Sequence, residues 1–320
     1  MVSTESQPLV SLCVPFYNQE RYAAETVRSI LSQTYPNFEM VACDDCSTDA
    51  TADLVENEIR AYRGKGGRAD ITFVRNDRNL GIVKNWEKVF RLARGELLVS
   101  CGGDDISYPN RASEIVRAWN ASGRKASVII HGFDRIDLDG APSDSDAYDW
   151  PISAAHPLGA VTAYSRGVVD AFDPVADPNG FEDQIFSKRA LLLGDEARID
   201  RPLIAYRIGS GDTTAGDGCL QRMKTVWRCL HSTPQTFADI GHVAETADPA
   251  RLARVRALAE ECQSRYPAEY RYLTTEGFLN KFRAYRDYRK TWGLPNHLSS
   301  VLDYVSDYWH GRNRPPKEFP

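Results

Sequence analysis

Over roughly the first 130 residues, short unbroken apolar runs alternate with amphipathic stretches, the pattern of strands buried on both faces between helices. "LVSLCVPFY" (9–17) reads as a strand. The next stretch, "NQERYAAETVRSILSQ", puts Tyr22, Ala23, Val27, Ile30 and Leu31 on one helical face, with Asn18 at the N-cap position and Pro36 beyond the end. "FEMVAC" (38–43) is the second strand, and Ser47, Thr48 and Asp49 are cap-type residues ahead of a helix carrying Leu54, Val55, Ile59 and Tyr62. Strand "DITFVRN", helix "IVKNWEKVFRLAR" closed by Gly95, strand "ELLVSC", helix "PNRASEIVRAWNAS" opened by Pro109 and strand "ASVIIHG" complete the alternation. This order predicts an α/β fold: a mostly parallel sheet flanked by helices, with ligands at the C-terminal ends of the strands.

Past residue 132 the pattern changes. "FDRIDLDGAPSDSDAYDWP" is polar and turn-rich, "GAVTAY" reads as a strand, "FEDQIFSKRALLLG" as a helix, and "RPLIAYRIGSGDTTAGDG" as a strand running into a Gly-rich loop. From Cys219 onward the chain reads as helices.

Composition narrows the function classes. The apolar fraction of 42% and the charged fraction of 26% are those of a soluble globular protein. No run reaches the ~20 apolar residues needed to span a bilayer, and "MVSTESQPLV" lacks a signal peptide's regions, so a cytoplasmic location is expected. A net charge of −5 gives no reason to expect nucleic acid as a partner. The seven scattered cysteines do not form a disulfide framework. Cys43 and Cys46 have no second ligand pair for zinc, and the aspartates between them work against a depressed thiol pKa.

The chemistry concentrates in two carboxylate pairs, Asp44–Asp45 and Asp104–Asp105, each just past the end of a predicted strand. Adjacent unit charges ~4 Å apart repel by about 4 kcal/mol at an effective dielectric of ~20. A hard divalent cation relieves that repulsion and can bridge to phosphate oxygens. The pairs read equally well as helix caps, and Asp49 fits a cap best. The loop after the first strand, "PFYNQE", has no glycine fingerprint, and the "GKGG" at 64–67 follows a helix, so nicotinamide-dinucleotide and phosphate-loop chemistry are not indicated.

Two blocks, "VSLCVPFYNQERYAAETVRSILSQTYPNFEMVACDDCSTDAT" and "NLGIVKNWEKVFRLARGELLVSCGGDDISYPNR", resemble the N-terminal half of the family 2 glycosyltransferases. The resemblance covers about residues 9–215 and implies a GT-A fold, a nucleoside diphosphate sugar donor such as a UDP-sugar, Mn²⁺ or Mg²⁺, and inversion at the anomeric carbon. Carried over by position, Pro15, Tyr17 and Glu20 line the nucleoside pocket and Asp45 reads base or ribose. Lys84 meets base or diphosphate, Asp104 faces the ribose, and Asp105 bridges the metal to the diphosphate. Gly102 stands where the commoner form of that motif begins with an acid. "GFEDQIFSKR" resembles the acceptor-side motif, giving Asp183 as the general base with Glu182 as its alternative; read without the family, these acids simply begin a helix. Arg207 is expected to neutralise the leaving group, and Gly209 occupies a position where many members carry histidine.

The resemblance implies a nucleotide-sugar-binding half at 1–131, an acceptor-binding half at 132–218 and a helical C-terminal extension at 219–320. The expected activity is transfer of a single sugar to a glycan or lipid-linked acceptor in bacterial polysaccharide or glycolipid assembly. The alternatives are a sugar-nucleotide-binding subunit without catalysis and a nucleotidyltransferase. "EYRYLTTEGFLNKFRAYRDYRK" mixes aromatic and basic residues, which suits peripheral contact with the inner membrane face or a packing and dimerisation helix.

Overall fold

The computed structural model describes residues 7–144, 153–155, 157–210 and 218–274. The Gly-rich loop 211–217 and nearly all of the basic aromatic stretch from 269 lie outside the described residues and side chains. Strands β1 (Val10–Phe16), β2 (Phe38–Asp44), β3 (Asp70–Arg75) and β4 (Leu97–Ser100) alternate with helices α1 (Ala23–Leu31), α2 (Thr51–Gly64) and α3 (Ile82–Leu92). They are followed by β5 (Ile106–Ser107), α4 (Arg111–Ala121), β6 (Ala126–Ile136), a 3-10 turn (Gly159–Val161), β7 (Thr162–Ser165), α5 (Gly167–Asp170), α6 (Glu182–Leu193) and β8 (Asp195–Arg207). Helices α7 (Gly218–His242) and α8 (Pro249–Thr274) end the described chain.

The strands form one sheet in the order β3-β2-β1-β4-β7-β6-β8-β5. Pairs β3–β2, β2–β1, β1–β4 and β6–β8 are parallel, whereas β7 runs antiparallel to both its neighbours and β5 antiparallel to β8. Strand β1 shows why unbroken apolar runs were needed: Val10, Leu12, Val14 and Phe16 pack with α1, α2 and α4 on one face. Cys13 on the other face joins the cluster of α3, α5 and α6. Ile240 and Val243 of α7 and Val255 of α8 belong to that second cluster, so the C-terminal helices share the sheet's core. Among the described residues no helix is long and apolar enough to cross a membrane.

The element boundaries correct several expectations. Asn18 is not the cap of α1: its φ of 50° is left-handed, its Oδ1 accepts the Thr48 amide at 2.9 Å, and the helix begins only at Ala23 after Tyr22. Pro109 lies one residue before the actual cap, Asn110. Helix α3 ends at Leu92, where the extended backbone of Ala93 takes the chain out before Gly95 is reached. Strand β6 continues to Ile136, through residues whose polarity suggested a loop, because pairing with β8 extends to Ile136↔Arg207.

Candidate active site

The loops after β1 and β2 are laced together at the C-terminal edge of the sheet. The Asn18 amide donates to Ser47 Oγ (2.9 Å), Gln19 to Thr51 Oγ1 (2.7 Å) and Glu20 to Asp49 Oδ2 (3.2 Å). In return the Ala50 amide donates to Glu20 Oε2 (3.1 Å). Asp49 also accepts the Thr51 amide at 2.9 Å, in the first turn of α2, so it closes that helix start while clasping the neighbouring loop. Glu20 is thereby spent on the scaffold. Pro15 is half-buried, and Tyr17 stands 48% exposed at the lip of this edge, a free aromatic face at the position expected to line the nucleoside pocket.

The first acidic pair has a structural role in this arrangement. Asp44 accepts both the amide (2.9 Å) and the hydroxyl (2.6 Å) of Ser47, bending the loop. The buried Asp45 accepts from Asn76 Nδ2 (2.8 Å), the Leu80 amide (2.8 Å) and the Gly81 amide (3.0 Å), fixing the β3–α3 connection. Lys84 binds Glu87 Oε2 at 3.1 Å and the Val175 carbonyl, so its ammonium tethers the segment after α5 to α3 and contacts neither acidic pair.

The second pair is held differently. Thr26 Oγ1 of α1 donates to the Gly103 carbonyl (3.1 Å) and to the Asp105 carbonyl (2.9 Å), pinning the loop by its backbone. The Asp104 side chain is met by Ser210, which leaves one oxygen of the pair open. Asp105 Oδ1 accepts the Arg207 amide at 2.9 Å, while Oδ2 is buried without a partner. Burial, and then the charge of Asp104, hold the Asp105 carboxyl well above the usual range; burial also raises Asp104. A Cβ on residue 102 would overlap Asp105 Oδ2 and lie 3.0 Å from Asp104 Oδ1, so glycine leaves room for the carboxylates here.

Arg207 is buried and heavily engaged. Its Nε donates to the Asp104 carbonyl (2.9 Å), Nη1 to the carbonyls of Asp137 (3.0 Å) and Leu138 (3.2 Å), and Nη2 to Glu25 Oε2 (2.9 Å), with the guanidinium over the Tyr22 ring. It shapes the loop that carries the acidic pair. Gly209 has φ of 85°, a conformation that disfavours the histidine expected from other sequences.

Asp183 and Glu182 occupy the first turn of α6. Both residues are half-buried, but Glu182 Oε2 and Asp183 Oδ1 are sealed from solvent without partners. Burial pushes Asp183 up to about 6, against the pull of the Gln184 amide, Lys188 and the Gly159 amide. Burial and the Asp183 charge push Glu182 up to about 8. Burial therefore raises both carboxyls, Glu182 further than Asp183, which suits Asp183 to accept a proton. Because β7 is antiparallel to β4, with Val99 opposite Ala163, the 3-10 turn bearing Gly159 lies at the C-terminal end of β4. Asp183, hydrogen-bonded to that turn, therefore belongs to the same edge as Asp104 and Asp105.

Sequence reasoning missed Thr26, Glu25, Arg111 and Gly159. Thr26 left one trace, a polar residue on the apolar face of α1. Gly159 and Arg111 left none, because their partners arrive from distant segments.

Residues 11–149 match the profile of Glycosyl transferase family 2. EpsE of Bacillus subtilis, named as a glycosyltransferase, is 33% identical over 139 residues, 42% of this chain and 48% of its own. WcaA of Escherichia coli, whose name places it in colanic acid biosynthesis, is 28% identical over 162 residues, 51% of this chain and 52% of its own. The chain thus spans about half the length of these relatives. In fold it is similar to Staphylococcus aureus TarS 1–349 in complex with UDP-GlcNAc, at TM-score 0.60 and 18% identity over 96% of this chain and 93% of that one. It is likewise similar to the mannosyltransferase PcManGT of Pyrobaculum calidifontis in complex with GDP-Man and Mn²⁺, at TM-score 0.60 and 15% identity over 96% and 84%. Residues 11–149 thus carry the profile of glycosyl transferase family 2, in a fold similar to that of GT-A glycosyltransferase structures, with C-terminal helices.

Proposed function

We propose that the protein is an inverting glycosyltransferase that moves one sugar from a nucleoside diphosphate sugar to a hydroxyl of a glycan or lipid-linked acceptor. The observation that carries this reading is the pairing of two carboxylate sets along one sheet edge, each with a buried, unpartnered oxygen: Asp105 Oδ2 on the donor side, Glu182 Oε2 and Asp183 Oδ1 on the acceptor side. The names of relatives in colanic and teichuronic acid biosynthesis support a polysaccharide setting.

The orphaned Asp105 oxygen beside Asp104 fits a divalent cation. Asp105, with Asp104 beside it, would hold the ion, which would supply positive charge for the diphosphate. Tyr17 offers a ring for the base, and Asp104 faces the ribose. Asp183 takes the proton of the acceptor hydroxyl as its oxygen bonds to the anomeric carbon and the bond to the diphosphate breaks, so in-line attack inverts that carbon. A positioned base is worth typically 10²–10⁴-fold. On this reading residues 1–131 are the donor half and 132–218 the acceptor half, with α7 and α8 an extension packed on α6.

The test is to incubate the protein with UDP- and GDP-sugars and an oligosaccharide or lipid-linked acceptor pool, following nucleotide release and product mass. Native protein should give a glycosylated product, and Asp183→Asn should bind donor without turnover. Donor binding with no transfer or release by native protein would favour the binding-subunit alternative.

A further inference from the structure

Arg111 and Arg189 are the largest polar side chains fully buried among the described residues, and Arg111 plays no part in the mechanism above. It is 1% exposed and begins α4, six residues beyond Asp105. Its five N–H groups all face acceptors. Nε donates to His131 Nε2 (3.0 Å), and Nη1 to Ser107 Oγ (3.0 Å) and Cys101 Sγ (3.5 Å). Nη2 donates to the carbonyls of Ser100 and Ala160, both at 2.7 Å. Since His131 accepts at Nε2, its proton sits on Nδ1, which donates to the Gly132 carbonyl at 2.7 Å. The histidine is thus neutral, and every acceptor in the cage is uncharged.

Two features set this residue apart from an ordinary buried cation. First, its cage lacks a carboxylate, although an unpaired buried ion costs several kcal/mol. Second, the two carbonyls sharing Nη2 belong to segments that diverge at that point. The β4–β7 ladder stops at Val99↔Ala163, with Thr162 Oγ1 3.5 Å from Ser100 Oγ. Past Ser100 the chain turns into the loop bearing Asp104 and Asp105, whereas Ala160 lies in the turn whose Gly159 amide binds Asp183. Arg111 fills the fork.

We propose that Arg111 is a positioning residue, a buried strut that fixes the donor-side carboxylates and Asp183 in one frame and so sets their separation across the reaction centre. This rests on the transfer reading. A planar guanidinium suits the task, because two donors on one nitrogen diverge at a fixed angle and an ammonium offers no such fork.

The test is hydrogen exchange by mass spectrometry on native protein, Arg111→Lys and the milder Ser107→Ala, with loop 76–81 as an internal control. Arg111→Lys should speed exchange at least tenfold in both segments 100–105 and 159–162 and leave 76–81 unchanged, with Ser107→Ala showing the same pair of changes more weakly. Arg111→Lys should also keep UDP or GDP affinity in Mn²⁺ within about threefold while lowering turnover of the bound sugar nucleotide by about 10²-fold, the cost of an ångström-scale misplacement. Loosening of only one segment, uniform loosening of all three, or turnover within threefold of native would each overturn the strut. Absence of nucleotide binding by native protein would sink the transfer reading separately, and the exchange result would still decide whether Arg111 joins the two segments.

Discussion

Glu182→Gln isolates the cost of the buried acid beside the proposed base. In the folded protein the Glu182 carboxyl is raised from 4.5 to about 8, by burial first and the Asp183 charge second. Between those values the folded state holds a proton that the unfolded chain has lost. Stability therefore falls as pH rises from 4.5 toward 8. The full shift corresponds to about 5 kcal/mol at 1.36 kcal/mol per pH unit, and the residue's partial exposure trims this to about 2–4 kcal/mol. Glutamine has the shape of the protonated acid and does not titrate. The variant should match native stability near pH 5 and exceed it by about 2–4 kcal/mol at pH 8.5, with the gap opening through the window between. Urea denaturation at half-unit pH steps measures this directly, because the midpoint moves at constant slope when only stability changes. Native and variant curves running parallel across pH would show that Glu182 does not titrate as a buried acid. The variant should also keep transfer activity, since at neutral pH the residue it mimics is already uncharged.

Other expectations concern the remaining carboxylates. Asp183→Asn should lower turnover 10²–10⁴-fold with donor affinity retained; in native protein turnover should be lost as pH falls through about 6, where Asp183 takes up its proton, and a flat acid limb would exclude it as base. Gly102→Asp, which restores the commoner acid of the motif, should weaken Mn²⁺-dependent nucleotide binding at least tenfold because its Cβ overlaps Asp105 Oδ2; stronger binding in calorimetry would contradict that packing. Asp45→Ala should cost about 1–3 kcal/mol in urea denaturation by stranding the Leu80 amide, and unchanged stability with lost nucleotide binding would instead make Asp45 a reader of base or ribose.

The strand–helix alternation was legible because strands buried on both faces are mostly apolar, as β1 and β2 are apart from the hydrogen-bonded Ser11 and Glu39 and the terminal Asp44. Starts and ends were less so. Asn18 looks like a cap by residue type, yet its left-handed backbone and its bond to Thr48 serve another loop. The two acidic pairs looked alike in sequence. Only the structure separates Asp44 and Asp45, whose oxygens are consumed by loop amides, from Asp105, whose Oδ2 is not. The resemblance put Lys84 at base or diphosphate and Arg207 at the leaving group, and the long-range bonds they make to the Val175 and Asp104 carbonyls were not legible in the sequence. Such partners leave no local pattern, which is also why Arg111 went unseen.

The most direct test of the account is calorimetric titration of UDP and GDP into native protein and Asp105→Asn, each in Mn²⁺ and in EDTA. The account predicts that one nucleotide binds native protein in Mn²⁺, with affinity lost in EDTA and equally lost in Asp105→Asn. Binding that is indifferent to EDTA and to the substitution would remove Asp105 and its cation from the donor site and contradict the division of labour between the two carboxylate sets.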